Sequence, residues 1–157
     1  SSWAGAGGKT GAAAGDAICQ ARAAAAGLAN ASSFKAWLGV RSPLAKTPAE
    51  RLTSSGPWAR VDGMEITAEG TQPGGEILTG LAVDENGHFV EDAFNGPYVW
   101  TGDGSGSGSA QTTCADWTSD MPIDKGWVGE FLESSEQWSS GFQSSCDSVR
   151  HLYCFED

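Results

Sequence analysis

Positive charge is scarce in this chain. Nine lysines and arginines stand against twenty aspartates and glutamates in 157 residues, a formal charge of −11. The long-range field therefore repels polyanions, and nucleic acid, heparin-like glycans and anionic membrane surfaces are disfavoured as partners. Such acidity fits solubility in an extracellular medium. Apolar runs of membrane-spanning length are missing too, so no membrane insertion is expected. No basic, apolar leader opens the sequence; if the protein is exported, its leader lies outside these residues or has been removed. There is no C-x-x-C pair, and His88 and His151 are not at zinc-finger spacing from any cysteine, which argues against a structural zinc site.

What is present is an even set of cysteines, Cys19, Cys114, Cys146 and Cys154. Two disulfides fit this set, and they imply an oxidising compartment: secreted or at a cell surface. Four cysteines allow three pairings, and spacing alone leaves all three open. The length suits one domain with a real hydrophobic core. Twenty-two glycines and seven tryptophans describe a folded, loop-rich protein.

The opening stretch "WAGAGGKTG", Trp3 to Gly11, ends in the Gly-Lys-Thr of a phosphate-binding loop. That loop needs a glycine where Trp3 stands, with a strand before it and a helix opening at Lys9-Thr10, and neither flank has that character. Residues 1–14 read instead as a flexible Gly/Ala-rich segment, leaving 15–157 as the domain. Within it Asp16 is placed to cap an alanine-rich helix over Ala17 to Ala26 that Gly27 ends. Cys19, Ala23 and Ala26 form a small-residue stripe suited to lie against a sheet. Phe34 to Leu38 alternates like a strand. Thr47, Pro48 and Glu50 spell a capping box with proline at the first helical position, so a short second helix starts there. Asp62-Gly63 predicts a hairpin with a two-residue turn. Residues 67–97 are turn-rich and read as long loops. "PYVWTG" and "TCADWTS" read as short strands, with a flexible "GDGSGSGS" loop between them, and "SSCDSVRHLYCFED" alternates again at the end.

The motifs "GDAICQARAAAAGL", "FKAWL", "RVDG", "VWTG", "TCADWTS" and "CDSVRHLYCFE" occur in this order from about Gly11 to Glu156. Together they resemble the bacterial secreted domains related to the endostatin domain of collagens, and hence the C-type lectin-like fold. The resemblance implies an α+β domain with a mixed or antiparallel sheet, one main helix, one short helix and long loops. It also implies nested disulfides, Cys19 with Cys154 and Cys114 with Cys146. The calcium-dependent sugar site of C-type lectins does not carry over, because neither its Glu-Pro-Asn nor its Trp-Asn-Asp motif is present. The N-terminal histidines that hold zinc in endostatin, and its basic heparin surface, are missing as well.

Two segments offer hard oxygen ligands for calcium outside those motifs: Asp84 and Asn86 in "DENGH", and Asp103 at the head of "DGSGSG". Read as EF-hand loops both fail, since the twelfth positions are Asn95 and Cys114. Glu130, Glu133 and Glu136 have helix-like spacing and could gather carboxylates for a small hydrolase, although a solvated face is the plainer reading. His151 reads as a solvent-facing or structural histidine, and no serine sits in a recognisable nucleophile elbow. Trp100 and Trp117 lie in motif cores. Trp58, Trp127 and Trp138 lie in turn-rich text, where they could stack on a sugar or a partner protein. Asn30-Ala31-Ser32 fits a glycosylation acceptor. The expectation is a non-catalytic extracellular binding or adhesion module for a glycan or protein partner. The alternative is self-assembly into a fibre or surface layer.

Overall fold

A computed structural model describes residues 5–91, 96–104 and 112–157 of the chain. Trp3, Asn95 and most of the glycine–serine run after Asp103 lie outside the described residues. The alanine-rich run forms helix α1, Ala12–Ala25, which begins four residues before Asp16. The break falls at Gly11, whose φ of 64° and ψ of −156° suit only glycine, so Asp16 is released from capping. The predicted boundary at residue 14 thus lies inside the helix. Gly15, Cys19 and Ala23, spaced by four, form the buried stripe. Gly15 is required there: a Cβ would stand 2.7 Å from Leu38 Cδ1 and 2.9 Å from Ala36 Cβ.

That stripe lies on strand β1, Phe34–Ala36, which pairs antiparallel with the last strand, β6, Cys154–Glu156. A second sheet has the order β4-β3-β2-β5, built from Tyr98–Trp100 (β2), Lys125–Glu130 (β3), Phe142–Ser145 (β4) and His151–Leu152 (β5). The β2–β5 pair is parallel and the others are antiparallel, so the architecture is α+β with a mixed sheet. Only Tyr153 separates β5 from β6, and its carbonyl accepts the Trp37 N–H at 3.0 Å, which carries the sheets into each other. Strand alternation then sorts the apolar residues into two cores. Val99, Trp37, Phe131, Tyr153 and Phe155 enter one with Trp58 and Trp138; Trp100, Ala36, Leu38 and Val128 enter the other with Cys19 and Trp117.

Asp16 has a different task from capping. Its carboxylate accepts the Ala36 N–H at 2.9 Å and two bonds from Arg51 at 2.9 and 2.7 Å, while Arg51 also donates to the carbonyls of Ala36 and Leu38. Arg51 ends helix α2, Pro48–Arg51, whose Thr47–Glu50 capping box forms as predicted. The pair therefore locks α1, β1 and α2 together.

Two turns differ from expectation. Arg60 N–H donates to Met64 O at 2.8 Å and Gly63 N–H to Arg60 O at 2.9 Å, so the hairpin closes through three residues, with Gly63 at φ 87° in the left-handed position. The stretch Cys114–Trp117 is a single left-handed turn with φ of 48°, 53°, 54° and 63°, where a short strand was expected. L-residues resist this conformation by roughly 1–2 kcal/mol each. Several bonds hold it. Trp117 N–H donates to Thr113 O at 2.7 Å, Asp116 N–H to Thr113 Oγ1 at 3.2 Å, and Trp117 Nε1–H to Gly39 O at 2.8 Å. Asp116 Oδ1 accepts the Arg41 N–H at 2.6 Å.

Both disulfides of the nested pattern are present, Cys19–Cys154 and Cys114–Cys146. They close loops with sequence separations of 135 and 32 residues. In the chain-entropy account these constrain the unfolded chain by about 5 and about 4 kcal/mol. Replacing Cys19 and Cys154 together with serine should lower the urea-unfolding free energy by roughly 3–5 kcal/mol, and the Cys114/Cys146 double replacement by about 1 kcal/mol less.

Candidate functional site

The three tryptophans that the sequence offered for stacking are core residues. Trp58 is 5%, Trp127 6% and Trp138 0% exposed, so none presents a ring to solvent. Packing explains it, because a small loop-rich fold fills its interior with these rings. Trp138 lies 5.0 Å from Trp37 and 5.6 Å from Tyr153, ring to ring, and its Nε1–H donates to Gly75 O at 2.7 Å. Its backbone is so close to β3 that a Cβ on Gly129 would meet Trp138 O at 1.8 Å. Trp58 packs edge-on against Phe155 at 5.3 Å. Trp127 supplies a carbonyl to the N–H groups of Thr101 and Gly102, both at 3.0 Å.

The candidate calcium residues are also in use. Asp84 Oδ1 accepts the N–H groups of Asn86 and His88, both at 2.9 Å, and these bonds, His88 first, hold its carboxyl below the usual range. Asp84 and Asn86 therefore build a turn. Asp103 is 6% exposed and belongs to a buried polar chain: Trp37 Nε1–H donates to Ser139 Oγ at 2.8 Å, and Ser139 donates to Asp103 Oδ2 at 2.6 Å. Thr101 Oγ1–H donates to Ser139 O at 2.6 Å, and the Asp103 N–H to Thr101 Oγ1 at 3.2 Å. Among the described residues no three histidine, cysteine or acidic side chains are grouped to hold a metal ion. Glu130 ends β3, Glu133 accepts from Ser135 Oγ in the following turn, and Glu136 opens a 3-10 turn, so no helix gathers these carboxylates. His151 sits in β5 with its ring edge-on to Phe131 at 5.6 Å.

What the loops do present is apolar. Two short hairpins are closed by the bridges Ala59–Glu65 and Val83–Phe89. Their tips lie side by side, close enough that a side chain added at Gly87 would reach Val61 Cγ2 at 3.9 Å. Val61, Met64 and Phe89 on these hairpins are 47%, 52% and 62% exposed. Their signal in the sequence is weaker than that of the tryptophans: Val61 and Met64 flank Asp62-Gly63, and Phe89 stands two positions after Asn86-Gly87. Arg60 fixes the first hairpin by gripping Asp62 with two nitrogens and donating to Gly80 O at 2.7 Å. Arg22 of α1 reaches Glu85 in the second at 3.5 Å.

Between these hairpins, α1 and the β5–β6 segment runs a cleft of about 1150 Å³. Its floor includes Ile66, Val99, Phe131 and Phe155 from the first core. Asp157 stands at one end, where its carboxylate accepts the N–H groups of Thr53 and Ser54 and pairs with Lys35. Burial opposes its charge, yet the bonds from Lys35, Ser54 and Thr53 outweigh that and hold its pKa at about 2.

No protein-family model matches the chain, and no curated protein matches it. No helix among the described residues is long and apolar enough to cross a membrane.

Ser139→Ala removes the group that joins Trp37 to Asp103 and leaves two buried polar atoms without that partner, so a loss of roughly 2–4 kcal/mol is expected in urea unfolding. Ser139→Val should be no better than Ser139→Ala, because it too lacks the hydroxyl that accepts from Trp37 and donates to Asp103. A second expectation concerns acid. The folded pKa of Asp157 lies below its ordinary 3.8, so its contribution is full above that value and disappears as pH falls through about 2. Stability should drop by on the order of 1–2 kcal/mol over that window, and Asp157→Asn should remove this part of the pH dependence.

Proposed function

We propose that the protein is a secreted, non-catalytic binding module of C-type lectin-like architecture that recognises a protein partner through the two neighbouring hairpins. The observation that carries this reading is the exposure of Val61, Met64 and Phe89 on two hairpins, the first of which Arg60 ties to Asp62 and to Gly80 O. Loops on a rigid scaffold are the usual seat of recognition, and exposed apolar side chains ringed by polar ones suit a protein surface. Burial of Trp58, Trp127 and Trp138 withdraws the three indoles that the sequence offered for stacking on a sugar, and the exposed hairpin residues are mainly aliphatic, which favours protein over glycan. Two disulfides are compatible with an oxidising, extracellular setting. The dispersed glutamates give a hydrolase no support.

Assembly into a fibre or surface layer is the second reading. It draws on β4, which among the described residues is an edge strand of the four-stranded sheet.

The test is titration of the labelled protein onto surfaces coated with extracellular-matrix proteins and, in parallel, onto a glycan array. Saturable binding to protein that weakens at least about tenfold in the Val61→Ser, Met64→Ser, Phe89→Ser triple variant, with unchanged unfolding, is the expected result. Binding confined to glycans, or indifferent to the three replacements, overturns the assignment. Filaments of the unliganded protein under the electron microscope would instead favour assembly.

A further inference from the structure

Negative charge is not spread evenly along the chain. The 64 residues from Val61 to Asp124 contain twelve of the twenty acidic side chains and neither lysine nor arginine. Part of this stretch folds back beside the first hairpin. Leu78 N–H donates to Ile66 O at 2.9 Å and Ile77 N–H to Ser134 O at 2.8 Å, so residues 77–80 run between the foot of that hairpin and the segment that follows β3. The two segments approach closely, since a Cβ on Gly80 would stand 3.0 Å from Leu132 O.

Ile77 and Phe131 enter the first core, and the next residue of each segment turns outward. Leu78 is 62% and Leu132 55% exposed, and Met64 on the hairpin stands two positions before Ile66. The charged residues nearest to these three along the chain are Glu76, Glu133 and Glu65. None of those glutamates takes part in an ion pair among the described residues. Apolar side chains in water beside carboxylates without a counter-charge restrict what can cover them. A second copy would set the same glutamates against each other, and an anionic bilayer would be repelled. A segment with apolar side chains at its centre and lysine or arginine around them would bury the leucines and neutralise the glutamates together.

We propose that the recognition surface of the hairpins extends over Leu78 and Leu132 and takes a basic, amphipathic segment of a partner protein. This inference rests on the partner-binding reading and adds to it the chemistry of the partner.

The probes are three fluorescein-labelled peptides of about fourteen residues, enough for four turns of helix. One is built of leucine and lysine with its leucines on one face, one has glutamate in place of lysine, and one has serine in place of leucine. Anisotropy titrations with the disulfide-bonded protein should show saturable binding of the first and binding at least about tenfold weaker of the other two. Leu78→Ser with Leu132→Ser should weaken the first peptide at least about tenfold, and so should Glu65→Gln with Glu76→Gln and Glu133→Gln. Either set suffices if the other does not fold. Asp120→Asn with Asp124→Asn and Asp147→Asn removes the same charge near the opposite end of β3, where Cys146 N–H bonds Asp124 O, and should change the affinity by no more than about twofold. Equal binding of the three peptides, indifference to the leucines, or an affinity that follows net charge wherever it is removed overturns the proposal. So does a dimer in sedimentation velocity that the leucine replacements dissociate. If the leucine–lysine peptide fails while matrix-protein binding still falls with the Val61, Met64 and Phe89 replacements, this inference is lost and the partner-binding reading stands. If matrix-protein binding is indifferent to those replacements as well, both are lost.

Discussion

The Cys19–Cys154 bond is the constraint on which the remaining structure depends. It fixes the middle of α1 to the first residue of β6, and β6 is the partner of β1. Once those residues are joined, the small stripe of Gly15, Cys19 and Ala23 has one surface to meet, the inner side of β1. The Asp16–Arg51 pair can then reach across the strand and bind its backbone on both sides. The pair is largely buried, so much of its attraction is offset by desolvation; its value here is geometric, since one guanidinium fills two carbonyls and a carboxylate at once. The terminal strands are only two and three residues long, too short to hold their register by ladder bonds alone.

The same shortage of regular structure explains the indoles. Loops carry backbone carbonyls that no ladder satisfies, and a buried indole needs an acceptor. The fold matches the two: Trp117 bonds Gly39 O, Trp138 bonds Gly75 O, and Trp37 enters the Ser139–Asp103 chain. Loops wound around such rings become part of the core, which is why segments with little secondary structure still place Ile66, Ile77 and Ala82 inside. The left-handed turn at Cys114–Trp117 follows the same logic. Its backbone cost is met because the turn alone brings Cys114 to Cys146, Asp116 to Arg41 N–H and the Trp117 ring under Gly39.

Local signals in the sequence were legible where one segment decides its own conformation. The capping box at Thr47–Glu50 is of this kind, as are the first three residues of the alternation expected over Phe34 to Leu38 and, in the expected stripe, Cys19 and Ala23, while Ala26 stands past the helix end and is not buried. The signals failed where a distant contact decides. Asp16 looks like a cap until Arg51 and Ala36 N–H compete for it. The helix is expected to start at Ala17, after Gly15, but Gly15 lies inside it because the approach of Leu38 leaves no room for a side chain there. No pattern local to "TCADWTS" announces a left-handed turn, because its conformation is set by Gly39, Arg41 and Cys146. The tryptophans were misplaced for a related reason: turn-rich text suggests exposure, while long-range packing buries the rings.

That burial changes which chemistry the surface can offer. With the large rings inside, the exposed apolar area falls to aliphatic and single aromatic side chains at loop tips, which recognise shape more than hydroxyl patterns. The acidic surface then works with them. A formal charge of −11 speeds encounter with a basic partner and rejects an acidic one, while the apolar tips supply the contact that persists after encounter. Steering by charge weakens with salt, and apolar contact does not, so the balance between the two is open to measurement. A partner held mainly by Val61, Met64 and Phe89 would lose association rate in salt but keep its lifetime on the surface, whereas one held by the scattered carboxylates would lose both.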